Sequence, residues 1–173
     1  VCAAIGTIGP AELTSLASYR RTLEINTISG IAVYLATIDA LRASKGRLLF
    51  ITSMSGKIAM PFLAAYTASK YALEGAADIM RQEVAGDGVK IILVEPGGVR
   101  TPMVSSQAFE PPALRHLGVN LQAEQIADAV WQQSQGAAVH RPISGLFKLM
   151  YWSAQLSPAW ITRAIMGWLS REK

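Results

Sequence analysis

The chain has 173 residues and a single cysteine, Cys2, so no disulfide can form within it. That usage is compatible with a reducing compartment. Its two histidines, His116 and His140, stand far apart without ligand spacing, which argues against a metal site. Charge is sparse as well: 16% of residues are charged, for a net +4. The basic residues are scattered along the chain and never interleave with aromatics in a run, which argues against nucleic acid as a partner. No apolar stretch is long enough to span a bilayer. No internal repeat or low-complexity tract is visible.

Apolar residues are plentiful instead, at 51%. The length suits one domain. The pattern predicts a short apolar strand over Val1–Ile5 and a long helix from about Ser18 to Ser44, with Leu23, Ile31, Leu35, Ile38 and Leu41 as its stripe. Gly46 follows as a C-terminal stop. A strand is expected over Gly46–Ser53, a helix rich in small residues over Ala64–Ala85, and a second strand over Gly88–Glu95. After an irregular stretch over Met103–Val119 come a helix over Leu121–Ser134, capped by Asn120, and a last strand over Ala137–Ile143.

Tyr66 and Lys70 lie four apart in the small-residue helix, which stacks them on one face. A free phenol, with a pKa of about 10, is a poor base at neutral pH. A fixed positive charge beside it favours the phenolate and lowers that value. Such a pair can act as a general acid/base. Ser53 ends the strand Gly46–Ser53, thirteen positions before Tyr66, with Thr52 and Ser55 as rival hydroxyls. Asn26 sits within the long helix, where asparagine is a poor helix former. The second strand runs into Pro96-Gly97-Gly98-Val99-Arg100-Thr101. In open α/β sheets, ligands bind at the C-terminal ends of the strands.

In the order and spacing of Asn26, Ser53, Tyr66, Lys70 and Pro96-Gly97, the chain resembles the short-chain dehydrogenase/reductase family. The stretches Phe50–Ser53 and Val94–Pro102 look most like its steroid and retinol type. The resemblance covers about Val1–Met103 well and the remainder loosely. It implies an α/β fold, a three-layer Rossmann-type parallel sheet, and NAD or NADP as cofactor. It further implies that Tyr66 is the acid/base, that Lys70 lowers its pKa and holds the nicotinamide ribose, that Ser53 orients the substrate oxygen, and that Asn26 holds a water in a proton relay. Pro96, Gly97, Val99 and Thr101 would border the nicotinamide. The two helices over Ser18–Ser44 and Ala64–Ala85 would build a homo-oligomer interface.

The sheet is expected to be incomplete. The N-terminal strands and the Gly-rich phosphate turn of the family have no counterpart here. The early glycines Gly6, Gly9 and Gly30 do not join a strand to a helix as that turn would. Cys2 and Ala3 stand where the family carries asparagines. Residues 1–143 thus read as the C-terminal part of a Rossmann-type catalytic domain, with 144–173 as an apolar helical tail of the same domain. In that tail Trp160, Ala164 and Trp168 form one row, and Ile161, Ile165 and Leu169 the next. It either covers the substrate pocket or a partner, or lies as an interfacial helix on a membrane.

The function implied is NAD(P)-dependent interconversion of an alcohol and a ketone or aldehyde, on a lipophilic small molecule. The expected localisation is cytoplasmic, with membrane association as the alternative. Two rivals stay open. One is a non-catalytic relic or interaction module of the same fold, favoured by the missing phosphate turn. The other is a sugar epimerase or dehydratase using the same Tyr-Lys pair.

Overall fold

The computed structural model describes residues 1–105, 119–136 and 140–142. Residues 106–118 of the expected irregular stretch and the expected tail over 144–173 lie outside the described residues. Three parallel strands form the main sheet: β1 (Arg47–Ile51), β2 (Lys90–Glu95) and β5 (His140–Pro142), in the order β1-β2-β5. β1 and β2 pair in register from Arg47↔Lys90 to Ile51↔Val94. Parallel neighbours need a crossover, and α3 (Ala64–Glu83) supplies it between β1 and β2. β2 is the central strand. From Ile91 to Glu95 it is buried throughout, which is why Ile91-Ile92-Leu93-Val94 reads as an unbroken apolar run.

β1 shows how the layers divide. Leu48 and Phe50 are buried in one core with Tyr34, Leu73, Ala77, Met80 and Ile91, beneath the helices. Leu49 and Ile51 alternate to the opposite face and line a cavity that α5 (Ala123–Gln135) also borders. Burying a side chain such as Phe50, fully inaccessible here, contributes about 2–3 kcal/mol by area.

The long helix is observed with one irregularity. It comprises α1 (Leu16–Leu23), a π-helical turn (Glu24–Ile28) and α2 (Ser29–Ser44). At the exit of the wide turn the Ser29 N–H reaches back to the Glu24 carbonyl, and its hydroxyl donates to the Ile25 carbonyl at 2.6 Å. The turn carries Asn26 and Thr27, both buried. The Thr27 hydroxyl donates to the Ser69 carbonyl on α3 at 2.8 Å. Single π turns of this kind are frequent at functional sites.

Several expected boundaries shift. No strand forms over Val1–Ile5. Val1 bonds to Leu49 and Ile51 of β1, but beyond it the chain is irregular, and both Ile5 backbone groups bond to Asn26. The left-handed residue that ends α2 is Lys45 (φ 48°), one position before the expected Gly46. The two N–H groups that close the helix come from Lys45 and Gly46, to Arg42 and Leu41. Asn120 does not cap α5. It lies in β4 (Val119–Leu121), which pairs in parallel with β3 (Gly98–Val99), and Gln122 caps the helix by a reciprocal bond with Gln125. The irregular stretch after Thr101 begins with a short helix, α4 (Pro102–Ser105).

Candidate active site

The site forms at the C-terminal ends of β1 and β2. β1 stops at Ile51, and the chain turns through Ser53 into a short 3-10 segment, Met54–Gly56. Ser53 caps that turn by accepting the Ser55 N–H at 3.1 Å. β2 ends at Glu95, and Pro96-Gly97 leads on to β3. The Met54 N–H donates to the Pro96 carbonyl at 3.0 Å, so the two turns are joined.

Tyr66 and Lys70 stand on the first turns of α3. The Lys70 Nζ lies 5.6 Å from the centroid of the Tyr66 ring and donates to the Ile51 carbonyl at 3.1 Å. Lys70 is 2% exposed, and burial pushes its ammonium down to about 8, with Cys2 and Glu74 acting in the opposite sense. Ser53 acts on the Tyr66 phenol in the sense that favours its ionised form. Of the rival hydroxyls, Thr52 is turned away and donates to the Val94 carbonyl at 3.1 Å.

The sign of the Tyr66 shift departs from the expectation. Its pKa is raised, because burial of the phenolate outweighs the lowering by Ser53. Lys70 directs its ammonium to the Ile51 carbonyl as well as over the ring. The phenol is thereby held in its protonated form.

Ser53, Tyr66, Lys70, Pro96, Gly97, Val99 and Thr101 all line one cavity of about 790 Å³. Its remaining wall is largely apolar and includes Ile8, Met60, Leu63, Met103 and Trp131. Asn26 is not on that wall. Its Oδ1 accepts the Ile5 N–H at 2.8 Å, and its Nδ2 donates to the Ile5 carbonyl at 2.8 Å and to Ser69 Oγ at 3.0 Å. The Ser69 hydroxyl in turn donates to the Tyr66 carbonyl at 2.7 Å. Asn26 thus supports the helix that carries the tyrosine.

Sequence reading missed a buried charged group behind the site. Lys57 Nζ lies 2.6 Å from Glu74 Oε2 and 3.9 Å from Glu95 Oε1. Burial raises Glu74 to about 7 despite Lys57. Two signals were present: Glu74 falls four positions after Lys70 on the same helix, and Glu95 interrupts an otherwise apolar strand. Among the described residues, no group of three or more potential ligands could hold a metal ion.

Known proteins match this chain. The model of the short chain dehydrogenase family matches residues 1–111. The chain belongs to the short-chain dehydrogenase/reductase family. Bovine 17-beta-hydroxysteroid dehydrogenase type 6 is 42% identical over 101 residues, which is 58% of this chain and 32% of the relative. Mouse retinol dehydrogenase 5 is 36% identical over 124 residues, 65% of this chain and 39% of the relative. The chain thus spans about a third of the length of these curated relatives. A short-chain dehydrogenase from Burkholderia cenocepacia J2315, solved in complex with NADP, superimposes with a TM-score of 0.80 at 21% identity, covering 94% of this chain and 65% of that one. That likeness shows the fold: an incomplete Rossmann-type α/β sheet.

Proposed function

We propose that this chain carries the catalytic part of an NAD(P)-dependent oxidoreductase interconverting an alcohol and a ketone or aldehyde. The observation that supports this most is the meeting of Ser53, Tyr66 and Lys70 on one cavity wall, with the buried Lys70 ammonium over the Tyr66 ring.

In the reductive direction Tyr66 gives its proton to the carbonyl oxygen. Its raised pKa suits a donor, since the phenol stays protonated at neutral pH. Ser53 hydrogen-bonds the same oxygen. Lys70, charged below about pH 8, offsets the phenolate that forms when Tyr66 loses its proton. Stabilisation of developing charge by fixed donors in a water-poor site is the larger part of the catalytic effect. In the oxidative direction the proton returns to Tyr66.

The residues present fit the nicotinamide end of a dinucleotide. Lys70 is a buried donor on the cavity wall, and the Pro96–Gly97 turn, Val99 and Thr101 form a short-walled edge beside it. Tyr66 and Lys70 would hold the ribose. When bound, the dinucleotide supplies or accepts the hydride. Asn26 has both Nδ2 hydrogens engaged by Ile5 and Ser69. Its Oδ1 already accepts the Ile5 N–H, so only that oxygen's remaining lone pair is left to hold a water in a relay.

The substrate we infer is a lipophilic alcohol or carbonyl compound. The apolar wall of Ile8, Met60, Leu63 and Met103 offers such a molecule contact, and the printed activities of the relatives concern hydroxysteroids and retinol. A second copy of the chain is the inferred partner for the helices. Leu35 on α2 and Tyr71 and Ile79 on α3 are exposed large apolar residues, and a Cβ at Gly75 would meet nothing within 4 Å. Among the described residues, no helix is long and apolar enough to cross a membrane. A peripheral membrane contact would rest on the tail over 144–173.

The test is a turnover assay on the full chain with NAD⁺ and NADP⁺ and a panel of steroid, retinoid and long-chain secondary alcohols. Formation of reduced dinucleotide with at least one of them is expected. Saturating dinucleotide binding without turnover across the panel would remove the catalytic reading.

A further inference from the structure

Behind the cavity, the charged cluster of Lys57, Glu74 and Glu95 is unused by the chemistry above, yet each member adjoins a residue of the site. Glu74 lies one helical turn beyond Lys70 on α3 and is 3% exposed. Lys57 closes the turn that begins at Ser53. Glu95 directly precedes Pro96 and is fully buried. Thr52, which directly precedes Ser53, donates to the Val94 carbonyl on the same strand as Glu95.

We propose that Glu74 is a positioning residue for the site: joined to Lys57 and facing Glu95, its carboxylate locks the Ser53 turn and the Pro96–Gly97 turn onto the helix that carries Tyr66 and Lys70. The proposal deepens the oxidoreductase reading and rests on it.

The fit of the turn on the carboxylate is close. A Cβ at Gly56 would stand 2.3 Å from Glu74 Oε1 and 2.7 Å from its Cδ. Any side chain at Gly56 would therefore displace the Glu74 carboxyl. The Met54 N–H to Pro96 carbonyl bond then carries the same constraint to the second turn. The cluster thus joins three segments through charge.

Stability alone is a poor reason for such a group. A buried ion pair is often no more stabilising than apolar side chains of the same volume. Two carboxylates and one ammonium are also unbalanced in a medium of low dielectric, so the group holds a proton readily near neutrality. The charged or titratable groups acting on the cluster are Lys57 and Glu95 from the two strand ends, Lys70 and Tyr71 from α3 itself, and Asp78 toward Lys57. Glu74 acts on Lys70 by holding its ammonium pKa up. A catalytic lysine one turn away is therefore sensitive to the state of Glu74 as well as to its place.

The test uses the full chain with ¹³C-labelled lysine and tyrosine side chains, as wild type, Glu74→Gln, Lys57→Met and Lys57→Arg. Glu74→Gln should lower the titration midpoint of Lys70 and shift the Tyr66 Cζ resonance. In steady-state assays it should lower kcat about tenfold or more, since small misplacements of reacting groups cost up to about 100-fold, with KM for the dinucleotide nearly unchanged. Lys57→Met should do the same, and Lys57→Arg should restore most of it. If Glu74→Gln does not fold, Gly56→Ala presses on the same oxygen and gives the same readouts. A lower Tm with the Lys70 titration and the Tyr66 resonance both as in wild type would overturn the proposal. The resonance measurements need no turnover, so a failure of the oxidoreductase reading itself would appear separately, as wild-type inactivity.

Discussion

The Asn26 carboxamide holds both backbone groups of Ile5: Oδ1 accepts the N–H and Nδ2 donates to the carbonyl, each at 2.8 Å. Its second Nδ2 hydrogen goes to Ser69, whose hydroxyl reaches the Tyr66 carbonyl. A side chain on the π turn thereby ties the N-terminal segment, which lines the cavity at Cys2, Ala4 and Gly6, to the helix that bears the proposed acid.

Asn26→Ala should destabilise the fold markedly. It leaves two backbone groups of Ile5 without their partner, at about 1–3 kcal/mol each where they are buried. Asn26→Asp keeps the acceptor and loses the donors, so its cost should be intermediate at low pH and larger once the carboxylate ionises. Thermal unfolding of both variants, with hydrogen exchange at the Ile5 amide, measures this. A Tm equal to wild type for Asn26→Ala would show that the anchor carries little.

Lys70→Arg keeps a positive charge and loses the compact ammonium. The site is 2% exposed, and Nζ is held by the Ile51 carbonyl. A planar guanidinium does not fit that place as a point donor does. Turnover should fall steeply, by about 100-fold or more on the scale of a lost acid/base partner. Wild-type-like kcat in Lys70→Arg would contradict the assigned geometry.

Glu74 makes stability depend on pH in a direction opposite to that of most salt-bridged carboxylates. Its folded pKa is about 7, against an ordinary value of 4.5. Between those values the native state holds the proton and the unfolded chain does not. Its contribution is therefore fully present below about pH 4.5 and is lost as pH rises through 7, by on the order of a few kcal/mol. Glu74→Gln should abolish that part of the slope. Tm measured from pH 5 to pH 8 for both proteins decides it; parallel curves would mean that Glu74 is ionised throughout.

The candidate site residues that share the cavity are legible because they are encoded in spacing along single elements. Tyr66 and Lys70 share a helix face, and Ser53 and Pro96-Gly97 end two strands that the apolar runs mark clearly. The supporting contacts were not legible, because they join distant segments. Nothing in the local sequence says that Asn26 faces Ile5, or that Lys57 reaches Glu74 and Glu95. The sign of the Tyr66 shift was missed for a related reason: the neighbouring lysine is visible in the sequence, whereas the desolvation that outweighs it depends on packing. The long helix ends at Ser44 as expected, but its left-handed residue is Lys45 and not the glycine that follows, a conformation lysine seldom adopts. The cap of the following helix was misplaced at Asn120 because β4 claims that residue for pairing with β3.

The central claim is that Tyr66 transfers the proton that accompanies hydride transfer. It is tested most directly by following deuterium from C4-deuterated NAD(P)H into a ketone substrate in wild type and in Tyr66→Phe, with folding checked by circular dichroism. The account predicts stereospecific transfer in wild type. It predicts loss of about 100- to 10,000-fold in Tyr66→Phe, the range for removing a general acid, with the fold intact. Transfer at near wild-type rate in a folded Tyr66→Phe protein would contradict it.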